Sequence, residues 1–170
     1  METSPELLLK DAAFTFQKHG HNLTSAWLYA EVAQDLKIDA SVWTGMGAAL
    51  VRSTDALGQE TAYTWSAKSL KRGLEVGAGT PFVSPCRNWL EVINDEMDVS
   101  PIEALKDDEI AGLIELMKGE DASVKASLNQ LPEDAQVKII EAMARSKKPR
   151  FANVLASALP GGDVVGNGKV

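Results

Sequence analysis

The sequence has no long hydrophobic run and only one cysteine among its 170 residues. No apolar stretch approaches the roughly 18 to 20 residues that cross a bilayer, so we expect no insertion into a membrane. The first residues, METSPELLLK, lack the basic segment and the small-residue cleavage site of a secretion signal. Cys86 alone cannot form an intramolecular disulfide, which is typical of a reducing compartment. These absences together predict a cytoplasmic location.

Aromatic residues are scarce after residue 90, and positive charge is scarce in the middle of the chain, residues 91–141. Nine of the ten aromatic residues precede residue 90, and only Phe151 follows it. Residues 1–90 contain 8 basic and 9 acidic residues, whereas residues 91–141 contain 4 basic and 14 acidic ones. Residues 142–170 contain 5 basic residues and 1 acidic residue. The acidic middle would repel phosphate groups, which makes nucleic acid an unfavourable main ligand.

Apolar residues recur at helical spacing, and no stretch alternates with the period of two that a β-strand would require. Proline and glycine separate the periodic stretches, and Ser4-Pro5 and Ser100-Pro101 have the composition of helix starts. We therefore predict an all-α fold, an α-solenoid-like array of antiparallel helix pairs with about nine helices. The predicted helices are 5–18, 23–36, 40–54, 60–75, 85–94, 101–118, 121–130, 133–146 and 149–159.

The changes in charge and aromatic content predict a boundary near residues 94–101. On this basis residues 1–95 form one helical domain and residues 101–159 form a second group of short acidic helices. Residues 160–170, GGDVVGNGKV preceded by proline, contain four glycines and little apolar surface. Such a segment is expected to be a disordered, flexible tail.

The front half contains two successive units in which small residues lie among large ones at helical spacing. These residues are Leu9, Ala12, Ala13, Phe16, Gly20, Ala26, Ala30 and Ala33 in the first unit, and Trp43, Met46, Gly47, Leu50, Gly58, Ser66, Leu70 and Gly73 in the second. Small residues allow two antiparallel helices to approach closely. With its segments FQKHGHNLTSAWLYAEVAQDL and ASVWTGMGAAL, the chain resembles the tetratricopeptide repeat over about residues 6–80. A helical bundle with the same spacing is the alternative interpretation.

The resemblance implies a concave groove, because tetratricopeptide repeats bind extended peptides or helices along the first helix of each pair. The residues that would face this groove are Lys10, Phe14, Gln17, Lys18, Thr44, Ala48, Val51 and Arg52. We expect Lys10, Lys18 and Arg52 to attract an acidic or amphipathic segment. Phe14, Trp43 or Val51 would anchor that segment, and Trp43 would equally suit the core.

The back half repeats a sequence pattern in which an acidic pair is followed by an alanine and then by a cluster of apolar residues. Glu120-Asp121-Ala122 recurs as Glu133-Asp134-Ala135, and each acidic pair is placed at a predicted helix start, where it meets the positive end of the helix dipole. With phrases such as LNQLPEDA and IIEAMARS, about residues 104–159 resemble the armadillo-like repeats of magnesium-transporter N-terminal domains and flagellar motor-switch proteins. Capped amphipathic helices of a globular bundle are the alternative. Both interpretations make this half a scaffold.

Two other groups of residues offer alternative functions. Arg145, Lys147, Lys148 and Arg150 form a basic cluster that suits a helix end or, alternatively, a nucleic-acid contact. Cys86 or the acidic loop at 94–98 would have to supply the chemistry of a small enzyme. His19 and His21 have no nearby metal-ligand partners, so we expect no metal site and no cofactor.

The sequence therefore predicts a noncatalytic adaptor or scaffold that binds another protein through an acidic or amphipathic segment. Self-association is a further expectation, because a solenoid exposes apolar stripes at its ends. A nucleic-acid accessory protein and a small enzyme are the alternatives.

Overall fold

The computed structural model of the protein describes residues 4–117 and 120–158, and over these residues the fold is all-α without strands. Its helices are α1 (Pro5–Lys18), α2 (Asn22–Ala33), α3 (Ala40–Val51), α4 (Thr54–Leu57), α5 (Gln59–Val76), α6 (Val83–Asn94), the 3₁₀ helix η1 (Asp107–Glu109), α7 (Ile110–Leu116), α8 (Glu120–Asn129), α9 (Glu133–Ser146) and α10 (Pro149–Ala158). The predicted helical class is confirmed. The predicted tail at 160–170 lies outside the described residues.

Eight of the nine predicted helices agree with the structure to within three residues at each end. At the start of α1 the Ser4 side chain accepts a hydrogen bond from the Leu7 amide, and Pro5 occupies the first turn, as the Ser-Pro pair predicts. The acidic pairs of the back half begin α8 and α9, which confirms that expectation. The short helix α4 was not predicted, and Gly58 with φ 84° separates it from α5.

The helix predicted over 101–118 is wrong in its first part, because the structure begins α7 only at Ile110. Side chains of α5 hold the backbone before this helix in a non-helical path. Lys71 Nζ donates to the Ile102 carbonyl at 2.6 Å, and Arg72 Nη1 donates to the Leu105 carbonyl at 2.8 Å. These carbonyls are bound by donors about 30 residues away instead of by their own helix.

One cluster of buried apolar residues includes side chains from both halves of the chain. Leu9 and Trp27 of the front half belong to it together with Leu113 and Phe151 of the back half. Trp27 and Phe151 make an edge-to-face contact with their ring centroids 5.6 Å apart. The division at residues 94–101 stays a prediction, and this shared cluster lies across it.

The crossing of α3 and α5 is built on small residues, as the repeat pattern predicts. A β-carbon at Gly47 would lie 2.5 Å from Leu70 Cδ2, so only glycine admits this approach. Ser66 Oγ donates to the Gly47 carbonyl and Ser69 Oγ donates to the Trp43 carbonyl, both at 2.7 Å. The buried hydroxyls are satisfied by backbone of the facing helix, and the two helices are thereby held in register.

Candidate functional site

A groove of about 410 Å³ lies between α1 and α3. Its lining residues are Lys10, Asp11, Phe14, Gln17, Tyr29, Ser41, Thr44, Gly45, Ala48 and Phe82. Tyr29 of α2 is only 3% exposed and forms the floor. Phe14 is 54% exposed and Phe82, just before α6, is 36% exposed. The groove thus combines a buried phenol with two aromatic rings that solvent reaches.

Gly45 creates the floor of the groove. A β-carbon at this position would lie 2.5 Å from Tyr29 Cζ and 2.6 Å from its hydroxyl oxygen, so a larger residue would displace the ring. Gln17 Nε2 donates to the Gly45 carbonyl at 3.3 Å and links α1 to α3. Ala48, one turn further along α3, leaves the space above the floor open.

Lys10, which lines the groove, forms an ion pair with Asp39. Lys10 Nζ lies 2.9 Å from Asp39 Oδ2. Asp39 also caps α3 by accepting from the Ser41 amide at 3.0 Å and from the Ser41 hydroxyl at 2.6 Å. Burial alone would raise the pKa of the Asp39 carboxyl, but the hydrogen bonds from Ser41 and Lys10 and the lysine charge outweigh it and lower the pKa. The charge of Lys10 is therefore compensated within the protein.

The Tyr29 hydroxyl makes no hydrogen bond to any residue that the structure describes, although its side chain is buried. Burial, together with the negative charges of Asp11 and Asp39, raises the pKa of Tyr29 to about 12. The phenol is therefore neutral at physiological pH. It offers a donor and two acceptor lone pairs at the floor of the groove.

The raised pKa of Tyr29 predicts a loss of stability at high pH. Between pH 10 and pH 12 the unfolded chain loses the phenol proton while the folded protein keeps it, so the free energy of unfolding falls as pH rises. Urea titrations at several pH values should show a steeper fall for wild type than for Tyr29→Phe. Parallel pH dependence of the two proteins would contradict the assigned environment of this ring.

The structure brings several of the predicted binding residues together and separates others. Lys10, Phe14, Gln17, Thr44 and Ala48 line the same groove. The Lys18 ammonium lies 5.8 Å from the centroid of the Phe14 ring, beside the groove. Trp43, Val51 and Arg52 do not line it.

The packing of α3 corrects the expected groove positions of Val51 and Arg52 and gives Trp43 the core position that was one of its two predicted roles. Trp43 is fully buried, donates from Nε1 to the Lys37 carbonyl at 2.8 Å and lies under the Arg72 guanidinium. Val51 is buried in a separate apolar cluster. The Arg52 guanidinium carbon lies 5.0 Å from the centroid of the Trp89 ring. Trp43 and Val51 are buried residues of α3, and Arg52 follows its last residue, so neither Trp43 nor Val51 is an exposed anchor.

Five of the lining residues were missed by the sequence analysis: Asp11, Tyr29, Ser41, Gly45 and Phe82. Tyr29 belongs to the second helix of its predicted pair, which a repeat pattern assigns to packing. Phe82 follows α5 by several residues in a loop. The sequence feature that could have indicated this site was Gly45, because a glycine inside a helix marks a close approach of another group.

The basic cluster near the C-terminal helices is largely engaged within the protein. Lys148 Nζ lies 2.8 Å from Asp35 Oδ2, and Arg150 Nε lies 2.6 Å from Glu31 Oε2. Glu31 is almost completely buried. Lys147 is exposed and ends α9 in the left-handed conformation with φ 58°. The cluster ties α10 to α2 and the turn after it, in agreement with the helix-end interpretation, and the nucleic-acid contact stays an alternative prediction.

Cys86 and the acidic loop, the two groups considered for enzyme chemistry, are engaged in contacts with neighbouring residues of the protein. Cys86 is buried with its Sγ 3.2 Å from Thr44 Oγ1, and burial raises the pKa of its thiol. A raised pKa disfavours the thiolate, which is the nucleophilic form. In the acidic loop, Asp98 accepts from the Ser100 amide at 3.0 Å and Asn94 accepts from the Val99 amide at 3.1 Å. The hydrogen bonds from Ser100 lower the pKa of Asp98.

Residues 4–117 and 120–158 contain neither a group of metal ligands nor a helix that could span a membrane. No three His, Cys, Asp or Glu side chains in this part of the chain come together as metal ligands. No helix within it has both the length and the apolar character to cross a membrane. Comparison of the chain with protein-family models, with curated proteins and with solved structures gives no match.

Proposed function

We propose that this protein is a noncatalytic adaptor that binds a segment of a partner protein in the groove between α1 and α3. The observation that carries the proposal is the exposed Phe14 ring beside a concave surface whose floor is Tyr29. Exposed aromatic rings around a concave, largely apolar surface are typical of binding sites. The resemblance to tetratricopeptide repeats supports the same place, because α1 and α3 are the first helices of the two predicted pairs.

The groove is suited to one or two anchoring side chains. Its volume of about 410 Å³ lies at the lower end of the range for ligand pockets. Burial of a leucine or phenylalanine side chain contributes roughly 1.5 to 3 kcal/mol. We therefore expect a short partner segment to bind with modest affinity, as suits an adaptor that exchanges partners.

The charges around the groove favour an apolar anchor over the acidic segment expected from the sequence. Lys10 is paired with Asp39, and Arg52 lies over Trp89 outside the groove. Of the three cations expected to attract an acidic peptide, Lys18 is the one that remains exposed beside Phe14. Apolar contacts with Phe14, Tyr29 and Ala48 are thus the main source of affinity in this proposal.

A selection from a random peptide library tests the proposal. The library is screened against immobilised wild type, and the enriched peptides are measured against Ala48→Trp, which fills the groove, and Phe14→Glu, which removes its apolar wall. Ile38→Glu is the matched control, because Ile38 is 87% exposed and does not line the groove. Circular dichroism establishes that each variant is folded.

We expect enriched peptides to carry an apolar residue and to lose at least about tenfold in affinity for both groove variants, since one buried anchor contributes more than the 1.4 kcal/mol that tenfold represents. Their affinity for Ile38→Glu should equal that for wild type. Peptides that bind wild type and Ala48→Trp equally would place the binding surface elsewhere. A library that yields no enriched peptide would count against an adaptor function.

A further inference from the structure

We infer that the groove between α1 and α3 binds a basic side chain of the partner, arginine or lysine, beside its apolar anchor. This inference rests on the proposed function and specifies the chemistry of the partner. The two polar groups that would receive the cation are the Asp11 carboxylate and the Tyr29 hydroxyl. Both line the groove.

The Asp11 carboxylate forms neither an ion pair nor a side-chain hydrogen bond with the residues that the structure describes. It is exposed on α1, one residue after Lys10 and three before Phe14. The neighbouring acid, Asp39, is paired with Lys10 at 2.9 Å and caps α3. Asp11 is therefore the uncompensated charge of the groove lining, and it is negative.

The Tyr29 hydroxyl is the second receiving group. The Tyr29 ring is buried at the floor, its hydroxyl has no hydrogen-bond partner within the described part of the chain, and the negative charge of Asp11 acts on it. Because the hydroxyl lines the groove and has no partner there among the described residues, a ligand group can bond to it directly. Its lone pairs can accept from a guanidinium or ammonium, and the negative potential disfavours an anionic ligand.

The positive charges nearby do not oppose a cation at this position. Lys10 is neutralised by Asp39. Lys18 lies seven residues beyond Asp11 on α1, about 10 Å along the helix axis at 1.5 Å per residue. At physiological ionic strength an exposed charge is largely screened over that distance.

The apolar surface suits the stem of such a side chain. Arginine and lysine bury their methylene groups on apolar surface while the charged end reaches a polar partner. Phe14 and Ala48 provide that surface. An acidic side chain in the same place would meet Asp11 and gain none of these contacts.

Titration of the full-length protein with three small probes tests the inference. The probes are N-acetyl-arginine amide, N-acetyl-norleucine amide and N-acetyl-glutamate amide. Binding of each probe is measured from the NMR shifts of the Gly45 and Ala48 backbone amides. We expect arginine to bind about fivefold more tightly than norleucine, from an exposed ion pair with Asp11 and a hydrogen bond to the Tyr29 hydroxyl. Glutamate should bind more weakly than either.

Two variants test which groups of the groove produce the preference for arginine. Asp11→Asn should reduce the preference for arginine over norleucine from about fivefold to about twofold and leave norleucine binding unchanged. Tyr29→Phe should weaken arginine binding about twofold to threefold, consistent with one hydrogen bond. Asp55→Asn is the matched control, because Asp55 is an exposed aspartate on α4 that does not line the groove.

Norleucine or glutamate binding as tightly as arginine would overturn the inference, and so would an arginine preference that stays about fivefold in Asp11→Asn. Absence of any shift at Gly45 and Ala48 with all three probes would also overturn it. The proposed function is judged separately by the peptide library. Enriched peptides that depend on Phe14 and Ala48 but contain no basic residue would support the adaptor groove and contradict the basic side chain.

Discussion

Arg150→Met will lower the free energy of unfolding by about 3 kcal/mol, whereas Lys147→Met will change it by less than about 0.5 kcal/mol. Arg150 Nε contacts Glu31, whose side chain is 4% exposed, at 2.6 Å, and its Nη2 lies 3.4 Å from Glu115. Removing the guanidinium takes the cation away from a buried carboxylate. Because the Arg150 side chain is itself 36% exposed, we place the effect at the lower end of the range for buried pairs.

Urea unfolding monitored by circular dichroism measures both variants. Lys147 is the matched control, because it lies in the same basic cluster, loses the same charge and keeps a β-carbon at φ 58°. Equal stability of the two variants would contradict a structural role for the cluster. If the cluster served nucleic acid instead, both variants would weaken binding to a labelled duplex and the binding would fall with added salt.

Gly47→Ala will destabilise the protein by about 2 kcal/mol, whereas Gly112→Ala will stabilise it by about 0.5 kcal/mol. A β-carbon at Gly47 would lie 2.5 Å from Cδ2 and 2.6 Å from Cγ of the buried Leu70, so α3 and α5 must separate or Leu70 must leave its rotamer. A β-carbon at Gly112 on α7 meets no atom within 4 Å. Its substitution therefore brings only the better helix propensity of alanine.

The pair of glycine variants separates packing from propensity, since both replace a helical glycine by alanine. Thermal unfolding should lower the midpoint for Gly47→Ala and raise it for Gly112→Ala. Stabilisation of both variants would show that α3 and α5 are farther apart than described. Destabilisation of both would indicate that α7 is packed more tightly than its open surroundings suggest.

Helix positions and the close crossing of α3 and α5 could be predicted from the sequence because their causes are local. Ser4 and Pro5 begin α1 with groups that lie within one turn. Gly47 and Ser66 fall on the helix faces that meet, and their spacing follows from the helical period. Side-chain periodicity and capping residues are visible in a single sequence, and here they determine most element boundaries.

The path of residues 101–106 could not be predicted, because its cause is not local. Ser100-Pro101 has the composition of a helix start, yet Lys71 and Arg72 of α5 bind the backbone carbonyls beyond it. Nothing in the segment indicates these donors. The same limitation applies to Arg150, whose partner Glu31 is more than one hundred positions away in the chain.

The candidate site was predicted in part, through the resemblance to tetratricopeptide repeats. That resemblance places Phe14 and Thr44 on first helices, and the structure lines one groove with both. It also places Arg52 there, whereas the last turn of α3 faces Trp89 of α6. Tyr29 was missed because a repeat pattern treats the second helix as packing, and only the tertiary arrangement shows its hydroxyl at the floor.

The most direct test of the adaptor groove is an NMR map of the protein with a library-selected peptide. Backbone amide shifts of the full-length protein are recorded at increasing peptide concentration. The proposal predicts that the largest shifts occur at Phe14, Gly45 and Ala48, and that Ala48→Trp abolishes them. Largest shifts at the basic cluster around Lys147 and Arg150, or on the outer face of α6, would contradict it.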